Sequence, residues 1–468
     1  MRYRKVSNLY RMLIRLFLLL CTIVLFTLEN LSIKEISVYS TIVCGVIIVL
    51  AYYEKKRIMT EYILIILFLI LFHFGQSITY VLEPTRYLPI IDDFNLKYTI
   101  KALLYALNCI QIFDITYMMC TPRSLQKLKY RPCSKNYLAA ADTVSKMGVS
   151  LLAPIVLSTL AVKTIYSLKN GYMNLYAYDG GGYKESAVMP YLDNLFVVLC
   201  VLRICSLSYN LQKVKTTIAL MIAYSTMMFV SGSRSGMLSV LLTTILIYVT
   251  KIKRERSEHK VKIFVMGVAL VLGSVFMSYF RLITNKNSVG FEESIKYVME
   301  SNPITTMMIE MGGTLKPLIY CIEIFSSGES LKFGTSYVAS VCLLIPNIAH
   351  ILGAIHPAAK LSNLSQWLME YKQLSHGPGF SIVAESYYNF GAAGAFVFIF
   401  WALFFCRVLG EPEKQNEEQS FISYSTMMLI FSLIRGSTSD FIRFFVFEVI
   451  FLNIVVKLYA GMISKYNK

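Results

Sequence analysis

Residues 375–405 read SHGPGFSIVAESYYNFGAAGAFVFIFWALFF, and this stretch shows how the chain is organised. Its first part is broken by Gly377, Pro378 and Gly379, and it carries an imidazole, a carboxylate, two phenols and an amide close together. Its second part, residues 392–405, is apolar. We interpret the stretch as polar chemistry at the mouth of a membrane helix, forming one side of an active site at a membrane–water boundary.

The composition is typical of an integral membrane protein. It has 468 residues, of which 56% are hydrophobic and 16% charged, and its mean hydropathy is +0.57. Apolar runs near 20 residues recur along it, and each is long enough to cross a hydrocarbon core of roughly 30 Å. A soluble protein could not bury so many such runs. We therefore predict an all-α polytopic membrane protein with a single membrane domain, residues 1–468.

The apolar runs predict about 12 transmembrane helices. The first follows a basic head and resembles a signal peptide, but no small-x-small cleavage site follows it, so we interpret it as an uncleaved span. The predicted spans are 11–29, 34–53, 59–80, 99–120, 145–168, 188–208, 216–231, 236–250, 262–281, 386–408, 420–434 and 443–463.

The net charge is +17, and its distribution along the chain predicts the orientation in the membrane. The basic residues form short blocks between apolar runs, as in loops that stay in the cytoplasm beside anionic membrane lipids. No basic patch with interleaved aromatic residues lies on a soluble domain, so we expect no nucleic-acid partner. With an even number of spans, both termini are predicted to be cytoplasmic. The blocks lie at 54–57, 121–136, 209–215 and 251–262.

The segment 282–385 is much longer than the other predicted connections, and loops of this size are usually functional or disordered. The patterns at 291–300 and 303–311 predict short helices, so we expect a large, late outer loop that contains helices. Residues 337–352 are apolar but short, and they carry Pro346. We interpret them as re-entrant or interfacial. If they crossed the membrane, every later segment would change sides.

Four arginines are predicted to meet at the outer ends of separate helices. Arg234 lies in a short turn of Gly and Ser residues, at a depth where an arginine costs roughly 2.5–3.5 kcal/mol to insert. Snorkelling to lipid phosphate is the alternative, but it does not need the space that the small neighbours open. A guanidinium fork matches phosphate oxygens, so we expect a bound diphosphate. For Arg435 or Arg443, an ion pair with Asp440 is the alternative. The four are Arg234, Arg281, Arg435 and Arg443.

Aromatic and polar side chains on the outer side predict a carbohydrate ligand. Loop 169–187 mixes aromatic rings, glycines and acids. Rings stack on the apolar faces of sugars, and Asp and Asn side chains bind hydroxyl groups. For each single tyrosine the alternative is an aromatic belt at the membrane surface. The candidate substrate-binding residues, besides Arg435 and Arg443, are Tyr178, Asp179, Tyr387, Tyr388 and Asn389.

Two short motifs resemble those of bacterial O-antigen polymerases of the Wzy type. One is the outer turn GSRSG at 232–236, and the other is HG-x-G at 376–379 followed by E-x-YYNFG-x-x-G at 385–394. The many spans and the late large loop are also similar. One departure is that some members carry arginine motifs in two large periplasmic loops, whereas loops 169–187 and 282–385 contain no arginine. The arginines at the helix ends would have to act in their place.

The resemblance implies a glycosyltransferase of the bacterial inner membrane that faces the periplasm. It would polymerise undecaprenyl-diphosphate-linked oligosaccharide repeat units into O-antigen or a similar surface polysaccharide. The implied partners are this lipid-linked oligosaccharide, membrane lipids and a chain-length regulator protein. Two alternatives stay open. An O-antigen ligase shares this layout, and a polysaccharide flippase or transporter, which is not an enzyme, would show repeat symmetry between its halves.

Glycosyl transfer from a lipid diphosphate needs a cation to stabilise the leaving group and a base for the proton of the acceptor hydroxyl. We assign the cation to Arg234 and Arg281. We expect no metal or other cofactor, because no spaced acidic pair lies on the outer side. We assign the base to Glu385 at the lip of its helix, with His376 as second candidate. The alternatives are pairing with an arginine for Glu385 and a turn-capping role for His376.

The predicted topology can be tested with single cysteines at Asn302 and Glu417 in a cysteine-free background. A membrane-impermeant thiol reagent applied to spheroplasts should label the cysteine at 302, which is predicted outside, and leave the one at 417 unlabelled. Protection of both sites, or the reverse pattern, would contradict the predicted sidedness.

Overall fold

The computed structural model is helical, and no strand occurs among the residues that it describes. The predicted all-α fold is therefore confirmed. The predicted span 262–281 and most of loop 169–187 lie outside the described residues. The described residues are 2–55, 60–127, 132–170, 188–231, 234–252, 302–345, 357–374, 377–410 and 415–466.

The helices before the late loop are long. They are α1 (Arg2–Thr27), α2 (Ile33–Lys55), α3 (Glu61–Leu82), α4 (Pro89–Asp92), α5 (Leu96–Lys127), α6 (Lys135–Asn170), α7 (Met189–Ser206), α8 (Leu211–Val230) and α9 (Arg234–Ile247), which continues as a π-helical turn, Tyr248–Ile252.

Short helices form most of the described part of segment 282–385, and longer ones follow. They are α10 (Pro303–Gly312), α11 (Lys316–Ser326), α12 (Thr335–Cys342), α13 (Pro357–Ser362), α14 (Leu364–Lys372), α15 (Ile382–Phe390), α16 (Val397–Leu409), α17 (Glu417–Ile434), α18 (Thr438–Phe444) and α19 (Phe451–Tyr466). Helix α10 coincides with the short helix predicted at 303–311, whereas 291–300 lies outside the described residues. A 3₁₀ turn, Gly313–Leu315, follows α10, and another, Gly391–Phe396, joins α15 to α16. A π-helical turn, Phe445–Ile450, joins α18 to α19.

Seven helices among the described residues are long and apolar enough to cross a membrane. Each overlaps a predicted span. Helices α8, α9, α17 and α19 also lie at predicted positions but do not meet the same criteria, so the count of about 12 stays a prediction. The seven are Leu9–Thr27, Ile33–Lys55, Glu61–Leu82, Leu96–Cys120, Lys135–Ser167, Met189–Ser206 and Ile382–Leu409.

The chain divides into two compact units, each built from separate segments. The single membrane domain expected from the sequence stays a prediction. Unit 1 contains Met1–Gln126, Met308–Arg407 and Ser432–Asp440, and unit 2 contains Lys127–Met307, Val408–Phe431 and Phe441–Lys468.

In unit 1, the buried helix α3 packs closely on the end of α10. A Cβ on Gly75 would collide with the carbonyl oxygen of Met308, so the two backbones touch where a side chain would hold them apart. The next residue, Gln76, donates from Nε2 to the carbonyl oxygen of Ile309 at 3.0 Å. Its Oε1 accepts from the backbone N–H of Ile90 at 2.8 Å. Gly75 leaves room for the two backbones to approach. The side-chain amide of Gln76 fixes the position of α10 along α3.

A buried arginine links the first helix of unit 1 to three other helices. Most of α1 exposes apolar side chains, as expected of a lipid-facing helix, but Arg15 is only 2% exposed. Its Nε donates to Asp114 on α5 at 2.8 Å, and its Nη1 and Nη2 donate to Glu54 on α2 at 2.8 and 3.1 Å. Tyr62 donates to the other oxygen of Asp114. This fully paired network joins four helices.

Polar side chains also join the helices of unit 2. Tyr137 on α6 donates to the Oδ1 of Asn453 on α19 at 2.8 Å. The Nδ2 of Asn453 donates to Glu418 on α17 at 3.0 Å, and Lys457 pairs with the same carboxylate at 2.6 Å. Helix α6 also packs along α7 and α19.

Helix α12 exposes its apolar side and buries its polar side. Its eight residues rise only about 12 Å, far less than a membrane thickness. Val338 and Val341 are exposed, whereas Ser336 and Ser340 on the other side are fully buried. This arrangement is typical of an interfacial helix and agrees with the interpretation of 337–352, although 346–356 lie outside the described residues.

Substitution of Gly75 tests the close packing of α3 on α10. In Gly75→Ala the added methyl has no room, so we expect a loss of about 1–3 kcal/mol or more in the free energy of unfolding. Thermal unfolding of the purified protein in detergent measures it. Gly45→Ala is the matched control, because Gly45 is also helical and its Cβ would meet nothing within 4 Å. That variant should be unchanged or gain up to about 1 kcal/mol, and equal unfolding temperatures for the two would contradict the packing.

Candidate functional site

Glu385 lies at the start of α15 and is completely buried, with 0% of its surface exposed. Helix α15 begins after Ser381, whose side chain accepts from the backbone N–H of Ala384. The prediction placed Glu385 before the span, at a lip that is partly open to water. That position was wrong, because the apolar helical run begins at Ile382 and already includes the carboxylate.

Both oxygens of the Glu385 carboxylate have hydrogen-bond donors. Oε1 accepts from Ser336 Oγ at 2.7 Å. Oε2 accepts from the backbone N–H of Thr438 at 2.8 Å and from its Oγ1 at 2.7 Å. The carboxylate therefore caps the first residue of α18 and holds α12 to α15, as an acid at a helix N-terminus should. Hydroxyl and amide groups, not an arginine, are its partners among these contacts.

Asn389 completes what we call the Glu385 cluster, namely Glu385, Ser336, Asn389 and Thr438. Its Nδ2 donates to Ser336 Oγ at 2.8 Å and to the carbonyl oxygen of Glu385 at 2.9 Å. Asn389 is 0% exposed. Its side chain thus orients Ser336, and its predicted role in binding substrate stays a prediction.

The phenol of Tyr337 lies beside the Glu385 cluster on α12. Burial raises its pKa well above the ordinary value, and the negative charge of Glu385 raises that pKa further. Its hydroxyl is buried and has no hydrogen-bond partner among the described residues. The phenol is therefore neutral at physiological pH.

The two tyrosines between Glu385 and Asn389 pack against aromatic neighbours. Tyr388 is buried, and its ring lies 4.6 Å from that of Trp367. Tyr387 is half-buried, with its ring 4.9 Å from that of Tyr105. The Oη of Tyr105 lies 2.8 Å from Ser386 Oγ. These contacts place both tyrosines in the packing of unit 1, and their role in binding sugar stays a prediction.

The predicted arginines are only partly described. Arg435 follows α17 and is exposed. Arg443 on α18 is half-buried, and its Nη1 donates to the Oη of Tyr191 on α7 at 3.0 Å. Arg234 is the first residue of α9, but its side chain lies outside the described residues. So do Arg281, His376, Tyr178 and Asp179.

The sequence reasoning missed two groups of residues. Ser336 and Thr438 carried no local signal, because they meet Glu385 only through the fold. Glu448 did carry one, since it is the single polar residue in the run FFVFEVIFL at 444–452. In the structure Glu448 is buried, and neither carboxylate oxygen has a hydrogen-bond partner among the described residues.

The described residues do not bring together three His, Cys, Asp or Glu side chains that could hold a metal ion. Metal-independent chemistry stays a prediction.

Comparison with known proteins places this geometry in context. A family model described as O-antigen polysaccharide polymerase Wzy matches residues 10–467. Protein CapE of Staphylococcus aureus is similar at 31% identity over 90 residues, which is 19% of this chain and 19% of CapE. The similarity thus spans less than a fifth of that relative. No solved structure matches the chain.

Substitution of two serines on α12 tests the Glu385 cluster. Ser336→Ala removes a donor from the buried carboxylate and an acceptor from Asn389, so we expect a loss of about 1–3 kcal/mol in the free energy of unfolding. Ser340→Ala is the matched control, because Ser340 is equally buried but donates only to a backbone carbonyl in its own helix. Thermal unfolding compares the two, and an equal effect would contradict the role of the cluster.

Proposed function

Because the chain belongs to the O-antigen polysaccharide polymerase Wzy family, whose model matches residues 10–467, we propose that it is a membrane glycosyltransferase. It polymerises undecaprenyl-diphosphate-linked oligosaccharide repeat units into O-antigen or a similar surface polysaccharide. The reaction takes place at the periplasmic face of the inner membrane, with both termini in the cytoplasm. The family match over nearly the whole chain carries this proposal, and the seven apolar helices support it.

The reaction moves the growing glycan from one lipid carrier to the next repeat unit. A hydroxyl oxygen of the new unit attacks the anomeric carbon of the growing chain, and the bond from that carbon to the diphosphate oxygen breaks. Undecaprenyl diphosphate leaves with the electron pair, and a base accepts the hydroxyl proton. Cations placed at the diphosphate stabilise the charge that develops there.

Arginines supply these cations, and the reaction is metal-independent. We assign Arg234 and Arg281 to the diphosphate and Arg435 and Arg443 to further oxygens of the substrate. A guanidinium is always charged and binds two oxygens at once, which suits an extended anion.

Glu385 and His376 are the proton acceptors that the sequence suggests. The donors that occupy both oxygens of Glu385 favour a positioning role for this carboxylate, which fixes α12 and the start of α18. His376 is then the remaining proton acceptor that the sequence suggests.

The sugar is bound by aromatic and polar side chains of the outer loops. We assign this role to Tyr178 and Asp179 in loop 169–187 and to the exposed part of Tyr387, with Tyr388 and Asn389 supporting it from the core. A chain-length regulator protein and the surrounding membrane lipids are the proposed partners.

Reconstitution tests the function. Purified protein in lipid nanodiscs receives lipid-linked repeat units, and the glycan products are separated by length. We expect a ladder that grows by whole repeats, together with release of undecaprenyl diphosphate. No ladder, with transfer of a preformed glycan onto lipid A core instead, would identify a ligase and overturn the proposal.

Arg234→Lys tests the diphosphate site in the same assay. Lysine keeps the charge but loses the two-point hydrogen bond, so turnover should fall about 10- to 100-fold, as for the loss of a hydrogen bond to a charged group. Arg407→Lys is the matched control, because Arg407 is exposed near the end of α16 and should keep full turnover. Full polymer synthesis by Arg234→Lys would reduce Arg234 to an anchor at the membrane surface.

A further inference from the structure

Glu448 in unit 2 is a buried carboxylate. It is 3% exposed, and neither of its oxygens has a hydrogen-bond donor among the described residues. Burying a carboxyl group in this way costs several kcal/mol. A leucine or glutamine would cost less, so stability does not explain the acid. Ionisable residues at membrane depth are rare, and they mark functional sites.

A second carboxylate faces Glu448. Asp193 on α7 is 7% exposed, and its charge acts on Glu448 across the contact between α7 and the π-helical turn. Two neighbouring carboxylates in a low-dielectric site disfavour each other's ionisation.

An arginine also contacts α7. Arg443, five residues before Glu448, donates to the Oη of Tyr191, which lies two residues before Asp193 on α7. The ring of Phe444 packs on that of Tyr191 at 5.3 Å. Helix α18 and the π-helical turn that follows it thus bring a cation and a carboxylate to the same helix, α7.

The π-helical turn makes this alignment possible. In an α-helix, residues three or four apart share a face, and residues five apart do not. The turn Phe445–Ile450 has the wider i→i+5 hydrogen-bond pattern, which brings residues five apart towards the same face. Such turns are rare and occur frequently at functional sites. Here the turn directs both Arg443 and Glu448 to α7.

We propose that Asp193 and Glu448 bind the hydroxyl of the acceptor sugar and accept its proton. This inference rests on the proposed function and assigns its base. As the acceptor oxygen forms its bond to the anomeric carbon, its proton passes to the ionised member of the pair, and the diphosphate leaves with the electron pair. The pair then returns the proton to water.

The contrast with Glu385 supports this assignment. The oxygens of Glu385 already accept from Ser336 and Thr438, and a proton acceptor needs an unoccupied oxygen within reach of the substrate. Glu448 is the one buried carboxylate of the described residues with both oxygens unoccupied.

Glu448→Gln and Asp193→Asn test the proposal in the reconstituted polymerisation assay. Each keeps the shape of the side chain and removes its basicity, so turnover should fall roughly 10²–10⁴-fold. Binding of the lipid-linked repeat, measured in parallel, should persist. Thermal unfolding should stay unchanged or shift upward, because the buried acid is gone, whereas a merely structural carboxylate would lower the unfolding temperature.

Glu418→Gln is the matched control, because Glu418 is a carboxylate of the same unit that is paired with Lys457, and it should polymerise at the wild-type rate. Wild-type turnover by Glu448→Gln and Asp193→Asn would overturn the inference while leaving the proposed function intact. Absence of polymer from the wild-type protein would instead overturn the proposed function. If Glu448→Gln does not fold, Asp193→Asn decides by the same measurements.

Discussion

A carboxylate that is buried away from water must find its hydrogen-bond donors inside the protein. Glu385 finds them on Ser336 and Thr438, which lie 49 and 53 residues away along the chain. Lipid tails are as apolar as leucine, so burial of hydrocarbon does not decide which membrane helices meet. Close backbone packing and paired polar groups decide it. The contacts of Gln76 and Arg15 follow the same rule in unit 1, and those of Asn453 follow it in unit 2.

Buried carboxylates that have hydrogen-bond donors among the described residues therefore differ in role from a buried carboxylate that has none there. Glu385 and Asp114 lie deep in unit 1 with all their strong contacts made, as expected of groups that fix helices in place. Glu448 is also buried, in unit 2, and its oxygens have no hydrogen-bond donor among the described residues. It lies inside a π-helical turn, and such turns are frequent at functional sites.

The sequence predicted what depends on local pattern and length. Apolar runs predict membrane helices because hydrocarbon thickness sets their length, and the residue pattern at 303–311 predicted the short helix α10. The start of α15 was placed too late, because Glu385 and Ser386 look too polar for a span until their partners are known. Ser336 and Thr438 could not be predicted, since only the fold brings them to Glu385. The local sequence did not predict the π-helical turn after Phe444, although the single acid in this apolar run was visible in the sequence.

The attachment of α1 also sets an order of events during synthesis. Arg15 leaves the ribosome well before its partners, since Glu54 follows 39 residues later and Asp114 follows 99 residues later. At about 5–20 residues per second, the second partner is made roughly 5–20 s after the arginine. Until Glu54 has been made, the guanidinium must stay hydrated at the membrane surface, because its burial without a counter-charge is too costly. Helix α1 thus completes its buried ion pairs only when α5 has been inserted.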